Sequence, residues 1–580
     1  MPEHVRQVVG RKRLVLMGEI LEDLGYPDDK LVSDIAAGFR LSGYMTKSNV
    51  FRAKSKRPPL SMETLKKLGR SFNTKNFASL DKRQETELEE ATWSETQTEL
   101  EKGWIFLDKE GETDGKFVGK RFGIRQGSKI RVIDDCTCCG LNLTVGLHEK
   151  FKLHSVDFLA AMLGCALKFG DDGGRPQLRG RTYDLRSAYK QFAVHPSDRQ
   201  ILRMGVNVPG AKQCAIIGFN SLPFGAVGSV AGFLRVSQAL WFIGYFGLGL
   251  LWSAFYDDYT LLSRMELENS SSWACEALFD LLGLEFAREG HKCVPFASKF
   301  KALGLEIDVG DFQAGHILIG HTDSRREELH NQLDTFLKAN AMTSKEAERM
   351  RGRMIFFEGY TFGRVANSAV KAIGRYCHSQ VPTPQFDAAM RKSLEFLQQR
   401  VLAGKPLKIQ RSLHQTWLIF TDGACDPEAR HGSVGGVIYD PQGNCRSFFG
   451  ESVPQTIMDA LLANSMNPIH ELEVMPILLA AHLWGKAYEG SQVVYYIDNE
   501  SSRMAHIRGH GETLRAAQMI EAFVGIESSL QHRVWFGRVP SYSNPADSPS
   551  RLDFKEVLQL GATQTSINWD WMSEHRSEEH

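Results

Sequence analysis

Acidic side chains at the ends of predicted strands are the features of this sequence with the clearest chemistry. Asp184 ends a short strand-like run, and Asp257 and Asp258 lie between two apolar, β-prone runs, as acids at the tip of a tight hairpin do. Adjacent carboxylates repel each other, so burying them is costly unless a cation neutralises them. Two divalent metals about 3.5–4 Å apart are a common solution in phosphoryl transfer. A single Asp is usually a turn residue or a helix cap, but these three in this order favour a metal site.

Four more acids near the C-terminus follow a similar pattern. Asp422 closes a predicted strand before a glycine turn, and Asp498 closes a later strand. Glu473 opens a predicted helix with Pro476 in its first turn, where proline is tolerated. Asp547 begins the last predicted helix. A second set of carboxylates is therefore expected to meet at one place in a separate domain.

The elements around these acids predict a multidomain protein with α/β and α+β parts. Residues 1–115 have a mostly helical pattern, residues 116–310 alternate short β-branched runs with helices, and residues 323–377 are helical again. After residue 416, three consecutive strand patterns precede alternating helix and strand, which is typical of a mixed α/β domain. The strands predicted in this last part span 417–421, 432–439, 446–453, 492–497 and 533–539.

The charge balance gives two conflicting indications. The 580 residues carry 69 Lys+Arg and 69 Asp+Glu, and a net charge of zero argues against a nucleic-acid enzyme. The charges are nevertheless segregated: Arg40–Lys75 has ten bases and one acid, Asp81–Asp114 has twelve acids and four bases, and Lys116–Arg131 has six bases and no acid. We favour alternating solvated faces over a phosphate-facing strip shielded by an acidic segment.

Two observations bear on membranes and location. Val236–Tyr256 is uncharged for 21 residues, but it contains glycines and runs into Asp257, so a buried helix end followed by a buried strand is expected and no membrane partner. The N-terminus lacks the pattern of a signal peptide, and ten cysteines are far too few for a disulfide scaffold. We expect an intracellular protein of the cytoplasm or nucleus, not a secreted one.

An ordered set of motifs resembles the reverse transcriptase family. Asp184–Tyr189 resembles the polymerase motif D-x-x-x-A-Y/F, and Leu222–Phe233 matches L-P-x-G-x-x-x-S-x-x-x-F at its fixed positions. Phe255–Asp258 resembles Y-x-D-D, with Phe in place of the leading Tyr. Two further segments are similar to the family, Leu281–Asp308 and the fingers-like Lys129–Asn142. The resemblance implies a right-hand polymerase with fingers, palm and thumb.

The resemblance also implies roles for the charged residues. Asp184, Asp257 and Asp258 would hold two Mg²⁺ ions, with Mn²⁺ as an alternative, for nucleotidyl transfer. Lys129 and Arg131 would contact the triphosphate of the incoming dNTP, because a guanidinium suits bidentate phosphate binding.

Other residues would bind and select the nucleotide. Tyr189 would lie under its sugar and exclude a 2′-hydroxyl, which favours DNA synthesis. Gly225 would let the backbone approach closely, with Phe224 packing beside it. Lys292 would donate a proton to the pyrophosphate, although a surface lysine is an equally fair interpretation. Residues 323–377 would form the thumb that grips the duplex.

The C-terminal acids resemble those of ribonuclease H. Thr421–Ala424 matches the first motif of that family, and Asn544–Arg551 is similar to the N-x-A-D-x-x-S-R ending of retroelement ribonuclease H domains. Glu471 competes with Glu473 for the helix position, and Glu473 is preferred because Ala480 then falls where the family has a small residue. The resemblance implies that two further metal ions are held, to activate water against RNA. Its ligands would be Asp422, Glu473, Asp498 and Asp547.

Together these features predict an RNA-directed DNA polymerase with a linked ribonuclease H, similar to gypsy-type or DIRS-type retroelements. The expected partners are an RNA template, a DNA primer, an RNA/DNA hybrid and dNTPs, with the oligomeric state left open. The alternatives are an inactive, domesticated nucleic-acid-binding scaffold and an RNA-dependent RNA polymerase, which Tyr189 and the attached nuclease disfavour. The predicted domains are an N-terminal helical extension at 1–115, fingers and palm at 116–322, thumb and connection at 323–410, a ribonuclease H-like domain at 411–555 and a tail at 556–580.

Overall fold

The computed structural model describes residues 1–574 except 109–112, 128, 169–175, 361–363, 379–384, 405, 411–414, 427, 429, 464–466 and 531–532. The chain forms two compact units, Met1–Leu318 (unit 1) and Ile319–His580 (unit 2). Both units combine helices with sheets, which confirms the predicted multidomain fold of mixed α and β structure. The predicted boundary at residue 411 and the end of the predicted tail, 575–580, lie outside the described residues.

Unit 1 contains nine helices among its described residues. These are α1 Glu3–Val9, α2 Leu14–Asp23, α3 Leu31–Ala37, α4 Met62–Leu80, α5 Thr86–Glu101, α6 Val156–Ala166, α7 Pro196–Ile201, α8 Val227–Phe242 and α9 Glu268–Leu282. Its strands are β1 Gly43–Tyr44, β2 Arg52–Lys56, β3 Ile105–Leu107, β4 Phe117–Gln126, β5 Lys129–Asp135, β6 Val145–Lys150, β7 Leu178–Asp184, β8 Leu202–Asn207, β9 Cys214–Phe219, β10 Leu251–Phe255, β11 Asp258–Arg264, β12 Lys299–Ala302, β13 Leu305–Asp308 and β14 His316–Gly320, which contains the boundary with unit 2.

A three-stranded antiparallel sheet in the order β10-β11-β7 carries the first set of acids. The predicted hairpin is present: β10 and β11 are joined by a tight turn in which Tyr256 has φ 55°. Behind the sheet lies α8, whose residues are almost all buried in the core of unit 1. The helices α1–α3 contribute to the same core, for example through Val5 and Leu21, so the first residues of the chain stabilise the sheet directly.

The long apolar stretch is an internal part of unit 1. Among the described residues, Val227–Gly247 passes the length and composition test for a membrane-spanning helix, but it is mostly buried within the protein. The helix α8 ends at Phe242, a π-helical turn follows over Ile243–Gly247, and β10 then enters the sheet. The predicted succession of a buried helix end and a strand is therefore confirmed.

A second sheet of unit 1, in the order β3-β9-β8-β4-β5, is held by buried charges. Glu99 of α5 accepts a hydrogen bond from Arg121 of β4 at 2.8 Å and forms an ion pair with Lys190 at 2.9 Å, and all three side chains are buried. Burial alone would raise the pKa of Glu99, but the two cations outweigh burial and leave the pKa below its usual range. The expectation of solvated charged faces is therefore wrong for Glu99, because α5 turns this residue toward the basic strand.

Unit 2 begins with four helices that share one core and continues with a sheet. The four are α10 Asp323–Ala339, α11 Ser344–Tyr360, α12 Asn367–Cys377 and α13 Ala388–Ala403. The later helices are α14 Gln455–Leu462, α15 Ile469–Trp484, α16 Glu500–Arg508, α17 Leu514–Leu530, α18 Asp547–Ser550, α19 Lys555–Gln559 and α20 Trp569–Glu574. The strands are β15 Leu407–Gln410, β16 Thr416–Asp426, β17 His431–Tyr439, β18 Cys445–Ser452, β19 Gln492–Ile497, β20 Arg533–Arg538 and β21 Thr563–Gln564.

The sheet of unit 2 has the order β20-β19-β16-β17-β18-β21. The strands β16, β17 and β18 run antiparallel as a meander, whereas β19 and β20 lie parallel to β16. All five strands predicted from the sequence are present: four agree to within one residue at each end, and β16 continues five residues beyond its predicted end. One prediction is wrong: α15 begins at Ile469, so Pro476 lies inside the helix and not in its first turn. The apolar run from Leu472 to Ala481 packs in the core, and this burial maintains the helix across the proline.

The buried ion pairs of Glu99 yield a stability prediction. Glu99→Gln removes the anion from between two buried cations, which typically costs about 3–5 kcal/mol in the free energy of unfolding. Glu101→Gln, an exposed change on the same helix, should cost less than about 0.5 kcal/mol. Urea unfolding of the full chain measures both, and equal midpoints for the two variants would contradict a structural role of Glu99.

Candidate functional site

The first set of acids is brought together by strand register. Asp258 and Asp184 are direct partners across β11 and β7, and Asp257 occupies the turn before β11. The backbone N–H of Leu185 donates to the carbonyl of Asp257 at 3.0 Å, which fixes the turn against the end of β7. The three carboxylates therefore cluster at one edge of the sheet, although less tightly than Asp422, Glu473 and Asp498 of the second set, which each bring one oxygen within 4.8 Å of the others.

The electrostatics of this cluster favour a cation. Burial, together with repulsion from Asp184, raises the pKa of Asp257 and raises that of Asp258 well above its ordinary range. The ammonium of Lys292 partly neutralises these acids, because its Nζ lies 2.5 Å from Oδ2 of Asp184. Arg131 of β5 also lies near Asp257, and its positive charge offsets part of the rise in the pKa of Asp257. The donor set of three clustered carboxylates, two of which have a raised pKa, fits a divalent metal.

An aromatic group adjoins these acids. The ring of Tyr189 packs against Phe233 at 4.9 Å and edge-on against Phe224 at 5.7 Å, measured between ring centroids. Burial and the nearby charge of Asp257 raise the pKa of Tyr189, so the phenol remains neutral. Phe224 is half exposed next to it, and the pair forms an apolar wall beside the carboxylates.

Glycine makes the neighbouring loop possible. Gly225 has φ +129°, and a Cβ there would lie 2.1 Å from the carbonyl oxygen of Asp134. The loop is clamped by Asn142, whose amide donates to the Gly225 carbonyl at 3.0 Å and accepts from the N–H of Val227 at 2.9 Å. Asn142 is a positioning residue that motif reading noted without a role. Of the two predicted phosphate contacts, Arg131 reaches the acids electrostatically, while Lys129 is exposed at the start of β5 without a described contact to them.

The second set of acids is also explained by register. β16 and β19 are parallel neighbours with Thr421 opposite Ile497, so the next residues, Asp422 and Asp498, emerge at the same edge. Glu473 reaches them from α15, and one ligand oxygen of each of the three lies within 4.8 Å of the others. The close approach of α15 depends on Gly423, because a Cβ at this position would lie 2.2 Å from the carbonyl oxygen of Leu472.

Two of these carboxylates, Asp422 and Glu473, have strongly raised pKa values. Burial, with repulsion from Asp498, raises the pKa of Asp422 to about 6 and that of Glu473 to about 9. Oε2 of Glu473 and Oδ1 of Asp498 are buried without a hydrogen-bond partner. Unpartnered buried carboxylate oxygens aimed at one another are expensive unless a cation joins them. The residues present therefore fit a metal ion, and this cluster is able to bind one.

The remaining acids of the prediction lie at the rim of the cluster. Asp547 is close enough to raise the pKa of Asp422, but its carboxylate is paired with Arg551 through two contacts of 3.0 and 3.1 Å. Glu471 accepts from the hydroxyl of Thr513 at 2.6 Å, while Glu473 is the one that joins the other acids. Ser550, which sequence reasoning did not single out, donates to Oδ2 of Asp422 and orients it.

Comparison with known proteins found likeness only among solved structures. No family model and no curated protein matches the chain. Three similar structures are of the foamy viral protease-reverse transcriptase. The dRH form with ds DNA has a TM-score of 0.44 at 13% identity, covering 92% of this chain and 82% of that one. The complex with RNA/DNA hybrid has 0.42 at 14%, covering 78% and 54%. The complex with dsDNA has 0.41 at 14%, covering 93% and 98%.

The raised pKa values of the second cluster predict how metal binding depends on pH. An acid whose folded pKa lies above its unfolded value of about 4 destabilises the metal-free fold progressively as pH rises toward the folded pKa. A divalent cation competes with these protons, so stabilisation by Mg²⁺ or Mn²⁺ should grow between about pH 6 and about pH 8.

Melting temperatures of the full chain with and without the cation measure this effect. Asp498→Asn should lose a large part of the pH-dependent stabilisation, whereas Asp570→Asn, an exposed change in the same unit, should keep it. An Asp498→Asn variant with an unchanged metal response would show that this cluster binds no cation.

Proposed function

We propose that the chain is an RNA-directed DNA polymerase with a linked ribonuclease H, of a gypsy-like or DIRS-like retroelement type. The observation that carries the proposal is the pair of separate carboxylate clusters, one per unit, each built on neighbouring strands of a sheet. In this proposal, residues 116–322 are fingers and palm, 323–410 thumb and connection, and 411–555 the nuclease domain. Residues 1–115 and 556–580 are the N-terminal extension and the tail.

In the polymerase site, Asp184, Asp257 and Asp258 bind Mg²⁺, or Mn²⁺ in its place. A divalent cation supplies Lewis-acid activation of the nucleophile and neutralises charge on the leaving group, here and in the nuclease site. Lys292 holds a proton at Nζ beside Asp184, within reach of a leaving pyrophosphate. In this proposal Arg131, whose charge acts on Asp257, and Lys129, at the start of the same strand, bind the triphosphate.

Selection of the sugar falls to the aromatic wall. The ring of Tyr189 is fixed by Phe233 and Phe224, and in this proposal it blocks the space that a 2′-hydroxyl would need. The tight Gly225 loop brings the backbone against the same nucleotide. The incoming substrate is therefore a dNTP, added to a DNA primer on an RNA template.

In the nuclease site, Asp422, Glu473, Asp498 and Asp547 bind the cations and thereby place the scissile RNA phosphate of an RNA/DNA hybrid. Ser550 holds Asp422 in its orientation. The carboxylate of Asp547 is paired with Arg551, whose side chain is exposed. In this proposal Arg551 turns toward a phosphate of the hybrid when Asp547 binds a cation. The rival function is an inactive nucleic-acid-binding scaffold, for which seven intact carboxylates would have no use.

The two activities are expected to be separable. Asp257→Asn changes a proposed metal ligand and should lower Mg²⁺-dependent primer extension on RNA at least about a hundredfold, because mutating residues that only support metal ligands already lowers activity by up to about that factor. The same variant should retain hybrid cleavage. Asp498→Asn should do the reverse, so each variant is the folding control of the other. If the wild-type protein extends no primer in either Mg²⁺ or Mn²⁺, the polymerase proposal is wrong and the inactive nucleic-acid-binding scaffold is favoured.

Sugar selection has its own test. Tyr189→Ala should raise the use of rNTPs relative to dNTPs about tenfold or more, because it removes the blocking ring. Tyr189→Phe keeps the ring and should keep the selectivity of the wild type. Single-nucleotide incorporation rates measure the ratio. If the wild type already incorporates rNTPs as readily as dNTPs, the assignment of DNA synthesis is wrong.

A further inference from the structure

A small sheet of unit 1 outside both carboxylate clusters exposes an unusual face. It has the order β1-β6-β2, with β1 parallel and β2 antiparallel to the central strand β6. Alternate residues of a strand share a face, and so do direct partners on neighbouring strands. By this rule Tyr44, His148, Lys150 and Arg52 lie on one face, because Tyr44 pairs with Gly146 and Arg52 pairs with Lys150. We call these four residues the Tyr44 face.

The positive charges of this face lack an acidic partner. Arg52 and Lys150 stand directly opposite each other, an arrangement of like charges that destabilises a strand pair. Within the described part of the chain, no carboxylate lies within ion-pair distance of either. The nearest acid in sequence, Glu149, points to the other face, where it is buried and accepts from the N–H and hydroxyl of Ser48 at 2.8 Å.

The remaining two side chains of the Tyr44 face form an aromatic platform. The rings of Tyr44 and His148 stack at a centroid distance of 4.9 Å with an interplanar angle of 18°. Tyr44 lies flat over Gly146, where a Cβ would be 2.6 Å from the ring, yet the residue remains 49% exposed. The sheet thus supports one side of the ring, and about half of the residue remains accessible to solvent.

Around this platform the positive charge continues. The whole of β2 is exposed. Lys54 follows Arg52 on this strand and Arg57 comes directly after it, whereas Lys56, beyond a register shift, stands opposite Leu147 and belongs to the other face. These residues belong to the basic segment Arg40–Lys75, for which a phosphate-binding role was one of two interpretations. Among the described residues, no acid of the segment Asp81–Asp114 forms an ion pair with Lys54, Lys56 or Arg57. Two of these acids pair elsewhere, Glu99 with Arg121 and Asp108 with Arg203.

We propose that the Tyr44 face binds single-stranded nucleic acid, with a base stacked on Tyr44 and phosphates held by Arg52 and Lys150. A basic surface interleaved with aromatic rings is the recurring solution for single strands, because every base has a face to stack and every linkage has a charge. A duplex keeps its bases stacked on one another and cannot use the ring. The identification of this strand as the unpaired template rests on the proposed polymerase function, whereas the binding itself does not.

A structural interpretation competes with this proposal. Exposed Lys and Arg on an edge strand such as β2 also prevent edge-to-edge aggregation. That interpretation predicts that neutral variants aggregate but bind nucleic acid like the wild type. It gives no role to Tyr44, whose exposure would be incidental.

The test is binding of the full chain to a labelled single-stranded oligonucleotide, without divalent metal or nucleotides, across a series of salt concentrations. Arg52→Gln combined with Lys150→Gln should reduce the slope of log affinity against log salt by about 1.4, two phosphate contacts to a single strand. Tyr44→Leu should weaken binding roughly 5- to 150-fold with an unchanged slope. Affinity for a blunt duplex should change little in Tyr44→Leu.

The matched control is Lys30→Gln combined with Lys82→Gln, two exposed charges elsewhere in unit 1, which should leave the slope unchanged. Melting temperatures and gel filtration establish that each variant is folded and monodisperse. If Tyr44→Leu unfolds, the salt dependence of Arg52→Gln combined with Lys150→Gln still tests the proposal. A slope equal to that of the control, or aggregation without loss of binding, would overturn the proposal. Wild-type protein that binds single strands through this face but never extends a primer would refute the polymerase alone.

Discussion

Repulsion between carboxylates held at the ends of neighbouring strands is the constraint on which both candidate sites depend. Strand register places Asp184 opposite Asp258 and Asp422 beside Asp498, so the acids cannot separate without breaking backbone hydrogen bonds. The proteins that bear such clusters offset the repulsion with protons, cations or hydrogen bonds. Here the first cluster has the ammonium of Lys292, whereas Glu473 in the second keeps a pKa of about 9. The fold holds these carboxylates close together despite their mutual repulsion, and a bound divalent cation would reduce that repulsion.

Close backbone packing is the second requirement, and two glycines provide it. Gly225 lies against the carbonyl of Asp134, and Gly423 lies against the carbonyl of Leu472. The latter carbonyl is four residues before Pro476, which has no N–H to donate to it. The proline and the glycine therefore act on the same short segment, where α15 comes nearest to β16 and delivers Glu473 to the other acids.

Much of this could be predicted from sequence, because strand ends, hairpins and glycine turns are local signals. The hairpin at Asp257 and the five strands predicted for the sheet of unit 2 are present. The start of α15 was not predictable in the same way, since burial of its apolar run overrides the preference of Pro476 for a first turn. Ser550 and Asn142 were part of quoted motifs, but their contacts depend on segments far apart in the chain.

The net charge of zero can be interpreted once the ion-pair partners of the acidic residues are known. Part of the acidic surplus of residues 81–114 is used internally: Glu99 neutralises Arg121 and Lys190, and Asp108 neutralises Lys116 and Arg203. Sequence order cannot reveal this, because Glu99 lies in α5 and Asp108 follows β3, while their partners lie further along the chain. Since those acids face inward, they do not cancel the field of exposed bases such as Arg52. A neutral sum is therefore compatible with a locally positive surface, and the sign of the charge at a surface depends on which groups the fold buries together.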